Sequence, residues 1–513
     1  MTGPPPSLRS PQTPPPSLRS TQTLADTLRE TAHHDPHRVL IVDGDIRLDA
    51  ATLRDRAAVL AGIMSERMPT GSVVSFMLPN WHEAAVVYLA ATWAGMVVNP
   101  VLPSLRDHEL QFILTDADVR MIFIPGEFRG YDYPAMLARV TATLDAPPEV
   151  VVIRGVGHTS YASLFDGAPL APQTHDPAAV RMLMYTSGTT GRPKGVLHSH
   201  QSIGALIAQI GMHWRVDAGD TFLVPSPIAH IGGSIYAFEC PLLLGTTAVL
   251  MERWDPAPAI DLMHSHHCTH MAGATPFLVG LLGAAEHAGT RLPDLKVFIC
   301  GGASVPPSLI RQATAAFEKA LVTRVYGSTE VPVSTVGSPD DPDRAADTDG
   351  RPGIADITII DGEIRVRGPQ MLMGYLHPED EALDADGYFR TGDLGNLTED
   401  GYLVVTGRAK DLIIRNGENI SPKEIEDILI RHPGIEEIAI VGVPDERTGE
   451  RACAVIVAGE GPAPDVTTLR DLLDSQGVAK FKAPEEVTVW DALPRNDAGK
   501  VLKHKIRATL MRG

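Results

Sequence analysis

The sequence predicts a layered α/β fold built as more than one domain. Three observations carry this reading: a length of 513 residues, an alternation of amphipathic helices and short apolar strands from Leu24 onward, and a change of texture in the last third. One hydrophobic core rarely holds so long a chain, so two or more domains are expected. Before Leu24 lies a tandem repeat, in which Pro4 to Thr13 recurs as Pro14 to Thr23 with Thr21 in place of Pro11. Proline-rich sequence of this kind buries no core, and residues 1–23 are expected to form a disordered, dispensable extension. Val73 to Leu78, Met121 to Ile124 and Val150 to Ile153 read as buried strands, and His82 to Trp93 as a helix. From about 355 to 406 the pattern becomes β-type alternation around turns, with Asp361-Gly362 as a hairpin signal. The final hundred residues read as a small α/β unit: helix 422–431, strands 438–443 and 452–458, helix 467–475 and strand 486–490.

Composition narrows the function classes. Hydrophobic residues make up 44% and charged residues 21%, as in globular proteins, and the net charge is −19. That charge argues against a general nucleic-acid or anionic-membrane binder. Cys240, Cys268, Cys300 and Cys453 form no CxxC pair and read as free thiols of a reducing, cytoplasmic compartment. No apolar run is long enough to span a bilayer, the N-terminus lacks the form of a signal peptide, and Met511-Arg512-Gly513 is no peroxisomal address. His264, His266, His267 and His270 crowd one segment, but neighbouring residues point different ways and no second ligand cluster faces them. No metal site is expected there.

The densest chemistry lies in Met184 to Gly195, where ten of twelve residues are hydroxyl-bearing, glycine or cationic. Glycines let backbone N–H groups turn inward, hydroxyls add donors and Lys194 adds charge, a composition suited to cradling phosphate. Arg192-Pro193 follows Gly191 where a Walker A loop requires Lys-Ser/Thr, so this is a different phosphate loop. Further along come Tyr326-Gly327-Ser328-Thr329-Glu330, Tyr388 to Gly395, Gly407 to Asp411, Gly417 to Ile420, and Leu493 to Lys500.

These six motifs, in this order over most of the chain, resemble the adenylate-forming superfamily of acyl-CoA synthetases, luciferases and peptide-synthetase adenylation domains. The resemblance implies a large N-terminal α/β domain of several subdomains over 24–409, with layered sheets and a β-rich piece. A small mobile α+β lid over 410–513 would follow, with Lys410 as the hinge. It implies ATP, Mg²⁺ and coenzyme A as cofactors and cosubstrates, and a small-molecule carboxylic acid as the partner to be activated. Neither nucleic acid nor an integral membrane segment is implied, and a homodimer stays open.

The resemblance also assigns roles. Thr186, Ser187, Gly188, Thr189, Thr190, Gly191 and Lys194 would hold the triphosphate, with Thr186 and Lys194 counted as catalytic. Glu330 would carry Mg²⁺, which keeps most of its waters and needs few protein ligands, and Thr329 would reach the α-phosphate. Asp393, an acceptor-only carboxylate, would take the ribose hydroxyls with Arg408 beside it. Gly301, Gly302 and Ala303 would admit adenine and acyl group, with Tyr326, Gly327 and Ser328 against the base. Lys500 would bridge carboxylate and α-phosphate as charge builds in the transition state. Gly417 would border a pantetheine tunnel, with Asn416 standing where relatives usually have a second glycine. Asn tolerates positive φ, so the turn is expected to survive.

The acid itself is less legible. His230 stands where relatives place a gate, and Gly232, Gly233, Ser234, Gly301 and Val331 make an uncharged acyl pocket. No Asp lies between Pro225 and Tyr236 to pair an α-ammonium, which disfavours amino acids. A medium-chain, alicyclic or aromatic monocarboxylate remains. The leading expectation is an ATP-dependent acid–CoA ligase. Two alternatives stand beside it: an aryl or fatty acid adenylating enzyme that loads a carrier protein, and a non-catalytic nucleotide-binding relative.

Overall fold

Strand periodicity explains the architecture. In the computed structural model, which describes residues 22–156, 159–187, 192–302, 305–380, 383–459, 461–496 and 499–512, two large sheets bury both faces. The seven-stranded sheet runs Leu321–Val325, Val297–Gly301, His270–Gly273, Thr221–Val224, Thr247–Leu250, Val39–Asp43 and Ile46–Asp49, parallel except at the last pair. Successive side chains serve opposite cores. Phe222, Ala248 and Ile299 enter a central cluster, while their neighbours Leu223, Val249 and Phe298 enter an outer one. The eight-stranded sheet does the same, with Met121 and Phe123 facing the centre and Ile122 and Ile124 facing outward.

The helix His82–Trp93 is buried at all twelve positions, which places it in the layer between the sheets. Helices Pro256–Ser265, Thr275–His287 and Pro307–Ala316 cover the outside of one sheet; Asp107–Asp116 and Tyr133–Thr141 cover the other. Across the central layer, Arg181 pairs with Glu239 at 2.6 Å and Tyr88 donates its hydroxyl to Glu239 at 2.5 Å, all three groups fully enclosed.

A third, four-stranded antiparallel sheet follows: Asp356–Ile360, Glu363–Arg367, Phe389–Leu397 and Leu403–Arg408. Its first hairpin turns at Asp361 and Gly362, both with positive φ (51° and 79°), as the Asp-Gly signal requires. A short 3₁₀ turn, Ala409–Asp411, leads to the last sheet. That sheet contains Glu418–Ile420, Ile413–Arg415, Gly449–Ala458 and Ile435–Asp445, with Glu486–Val489 added parallel to Gly449–Ala458. Its faces are covered by helices Pro422–Leu429 and Val466–Ser475 on one side and Lys503–Leu510 on the other. The elements read from sequence are present with shifted ends. The first strand stops at Phe76 rather than Leu78, helix 422–431 ends at Leu429, and strand 438–443 extends to Ile435–Asp445. Among the described residues no helix is long and apolar enough to cross a membrane.

Candidate active site

Parallel sheets present their ligands at the carboxyl ends of the strands. The seven-stranded sheet delivers four neighbouring segments to that edge. Tyr326 to Glu330 follow Leu321–Val325, Gly301 and Gly302 close Val297–Gly301, Ala274 to Pro276 follow His270–Gly273, and Pro225 to Ser234 follow Thr221–Val224. Gly301 answers to its neighbour as much as to any ligand, because a Cβ there would stand 2.8 Å from Val325 Cγ2 and 2.9 Å from its carbonyl oxygen.

The four-stranded sheet brings a buried carboxylate to the same place. Asp393 and Arg408 are register partners on adjacent strands, with Arg408 Nε 2.6 Å from Asp393 Oδ1. That approach is a charge contact without hydrogen-bond alignment, so Oδ1 is a buried acceptor with no donor aimed at it. Tyr326 donates its hydroxyl to Oδ2 at 2.8 Å. A buried carboxylate oxygen in want of donors fits a ribose hydroxyl. Tyr326 thus holds the carboxylate by its hydroxyl, a contact not foreseen from its expected place against the base.

The eight-stranded sheet supplies the hairpin expected to hold phosphate, Val180–Ser187 paired with Pro193–Ser199. Thr186 donates to Glu330 Oε1 at 3.4 Å, and Tyr375 donates to the same oxygen at 3.2 Å. Both partners act on one oxygen, which leaves the carboxylate suited to one Mg²⁺ contact. Arg192 and Lys194 both reach Asp380, at 2.7 Å and 3.5 Å. Gly188, Thr189, Thr190, Gly191 and Ala303 lie outside the described residues.

Lys500 enters from the small domain. Its loop is closed by Asn496, whose side chain accepts from the Lys500 N–H at 2.8 Å, and by Arg495, which donates to the Gly499 carbonyl at 2.6 Å. A Cβ on Gly499 would sit 3.2 Å from Pro276 Cγ, so the loop rests against the Ala274–Pro276 segment. Burial, together with the nearby Arg408 and Lys410 cations, pulls the Lys500 amine down to about 8 against the opposing pull of Asp393 and Asp411. Below that value the amine is charged; above it the charge is lost. The kcat/KM of any step that needs this charge is therefore expected to fall about tenfold per pH unit above about pH 8. A bound polyanion would restore the charge, so the fall in kcat should lie at higher pH. A profile with kcat/KM flat to pH 10 would contradict this placement.

At the expected acyl end, His230 occupies the N-cap position of the short helix Ile231–Ser234 without a side-chain cap bond. A Cβ on Gly232 would meet nothing within 4 Å, whereas one on Gly233 would strike Pro227 O, so Gly232 borders open space and Gly233 packs. Ser234 and Val331 are fully buried.

Two supporting residues carried no sequence signal. Asn80 donates to the carbonyls of Val224, Ser226 and Met251 and accepts from the Ile228 N–H, fixing the segment that leads to His230. His198, which burial lowers to about 4 and so keeps neutral, lies with Nε2 2.8 Å from the Thr329 carbonyl and props the Tyr326 to Glu330 turn. Asn416 and Gly417 form an exposed hairpin tip with φ of 52° and 83°, as expected for the turn. The histidines at 264–270 diverge, to Thr290, Asp294 and the Trp214 carbonyl. The one group with metal-ligand spacing among the described residues is Asp43, His82 and Glu83, and Arg154 already bonds both carboxylates.

Comparison with known proteins follows this geometry. Residues 28–376 match the family model for the AMP-binding enzyme, and residues 424–500 match that for the AMP-binding enzyme C-terminal domain. The medium-chain fatty-acid–CoA ligase of Escherichia coli (strain K12) is 34% identical, with 94% of this chain and 89% of that protein aligned. The 3-[(3aS,4S,7aS)-7a-methyl-1,5-dioxo-octahydro-1H-inden-4-yl]propanoyl:CoA ligase of Rhodococcus jostii (strain RHA1) is 35% identical, with 91% and 95% aligned. Among solved structures, ATP-bound MatB from Rhodopseudomonas palustris superposes with a TM-score of 0.85 at 30% identity, covering 94% of this chain and 98% of that one.

Proposed function

The chain belongs to the AMP-binding enzyme family, among the acyl-CoA synthetases of the adenylate-forming superfamily, and on that premise we propose that it is an ATP-dependent acid–CoA ligase for apolar monocarboxylic acids. The observation that carries the reading is the convergence of Asp393, Glu330, Thr186 and Lys500 from three separate sheets and the lid loop onto one strand-end cleft.

The chemistry proceeds in two steps. A carboxylate oxygen attacks the α-phosphorus of ATP, the bond to the β-phosphate oxygen breaks, and pyrophosphate leaves with that electron pair. Two anions must approach, so screening and alignment are the main demands. Asp393 and Arg408 orient the ribose, Thr186, Arg192 and Lys194 face the phosphates, and Lys500 places a cation between carboxylate and α-phosphate. Mg²⁺, held through Glu330, supplies charge neutralisation to the phosphates. In the second step the CoA thiol, losing its proton, attacks the acyl carbonyl, and AMP departs with the electrons of the broken C–O bond. The lid, turning about Lys410, exchanges the Lys500 loop for the Asn416-Gly417 hairpin beside the pantetheine arm.

Free CoA is favoured over a carrier protein because these relatives are CoA ligases. The absence of a charged group from Gly232, Gly233, Ser234 and Val331 supports medium-chain, alicyclic or aromatic acids. The net charge of −19 argues against a general nucleic-acid or anionic-membrane binder; a cytoplasmic site fits the four unpaired thiols, and a homodimer is compatible. An acid panel scored by kcat/KM for thioester formation tests the substrate class. Preference for amino acids or dicarboxylates would overturn it. Gly417→Leu is expected to suppress thioester formation at least tenfold on order-of-magnitude grounds while adenylation survives, since a side chain there would obstruct the thiol. Equal loss of both half-reactions would remove Gly417 from the tunnel.

A further inference from the structure

The two cations of the phosphate hairpin share one carboxylate. Asp380 Oδ2 takes Arg192 Nη2 at 2.7 Å, and Oδ1 lies 3.5 Å from Lys194 Nζ, which also stands 5.2 Å over the Tyr375 ring. Asp380 is only 12% exposed at its side chain, and Lys194 16%. Its position is built rather than incidental. The segment before it pairs with the hairpin (Val196 with Tyr375, Leu197 with Gly374), and the Leu376 N–H donates to the Gly195 carbonyl at 2.7 Å. His377 then anchors to Asp116 at 2.8 Å, and Asp116 accepts the Tyr185 hydroxyl of the same hairpin at 2.7 Å. The chain is thus clamped on both sides of the phosphate strand, and the 3₁₀ turn Pro378–Asp380 sets its last residue over the two cations.

We propose that Asp380 is the internal counter-ion of the phosphate hairpin, holding Arg192 and Lys194 until the triphosphate displaces it and competing with pyrophosphate for them after adenylation. The identity of the displacing anion rests on the ligase reading. One carboxylate carries a single charge and cannot hold two cations against a polyphosphate, so displacement by ATP is favoured. Yet it offers the pair a partner at every moment when no phosphate is bound. It spares Lys194 from standing half-buried beside Arg192 uncompensated, and it lowers the grip on the leaving pyrophosphate. Asp380 touches neither acid nor ribose in this account; it is a positioning residue acting through Arg192 and Lys194.

The test is calorimetric titration of full-length Asp380→Asn and Asp380→Ala with Mg²⁺–pyrophosphate and Mg²⁺–ATP, together with KM for the acid. Both variants are expected to bind both ligands about three- to tenfold more tightly than the parent. The gain should shrink as salt rises, and KM for the acid should stay unchanged. Asp380→Glu, which keeps the charge, should restore parental affinity. Unchanged or weaker binding of both ligands by Asn and Ala variants would make Asp380 a structural brace and overturn the proposal. Failure of the parent protein itself to bind either ligand would overturn the ligase reading, and the proposal with it.

Discussion

Lys500→Ala is expected to slow adenylation by about two to three orders of magnitude, the cost of removing one preorganised charge from a transition state. A supplied acyl adenylate should still be converted to thioester at close to the parental rate. The asymmetry follows from placement. Lys500 lies among Asp393, Arg408, Lys410 and Asp411 on a loop that rests against Pro276, and in the proposed mechanism that loop leaves before the second step. Pyrophosphate exchange and single-turnover thioester formation measure the two steps separately. Equal losses in both would show that the lysine supports the lid rather than the phosphate.

The second large effect is on stability. Glu239→Leu would leave Arg181 buried without its charge partner, and Tyr88 without its acceptor. Stranding one member of an enclosed pair costs about 3–5 kcal/mol. The midpoint of urea unfolding should drop accordingly. Arg181→Met combined with Glu239→Leu should recover most of the loss, because replacing both charges by apolar groups of similar volume is close to neutral. A single variant as stable as the parent would mean that Arg181 reaches solvent or another anion. The pair also bears on function. Arg181 lies on the strand Val180–Ser187, which carries Thr186, and Glu239 lies in the π-helical turn that follows Ile231–Ser234.

Much of this was legible in the sequence, and the limits have physical causes. His82–Trp93 is apolar nearly all round, and its length together with the absence of breakers marks it as helix before any packing is known. Asp361-Gly362 and Asn416-Gly417 announce hairpins because few residues accept positive φ. Motifs single out Glu330, Asp393 and Lys500 because each sits in a dense local pattern. Asn80, His198 and Asp380 had no such pattern. Asn80 acts on carbonyls 144 to 171 positions away, and His198 on a carbonyl 131 positions away. Asp380 faces cations 186 and 188 positions before it, contacts that only the folded sheets create. The acyl pocket is unreadable for a similar reason. The residues proposed to line it come from different strand ends, Gly232 after Thr221–Val224, Gly301 at the end of Val297–Gly301 and Val331 after Leu321–Val325, so no single stretch encodes its size.

Product analysis tests the ligase reading most directly. Given ATP, Mg²⁺, free CoA and a medium-chain carboxylic acid, the protein should release AMP and pyrophosphate and form acyl-CoA in an amount equal to the AMP. Formation of ADP, or of AMP without any thioester to free CoA, would contradict it.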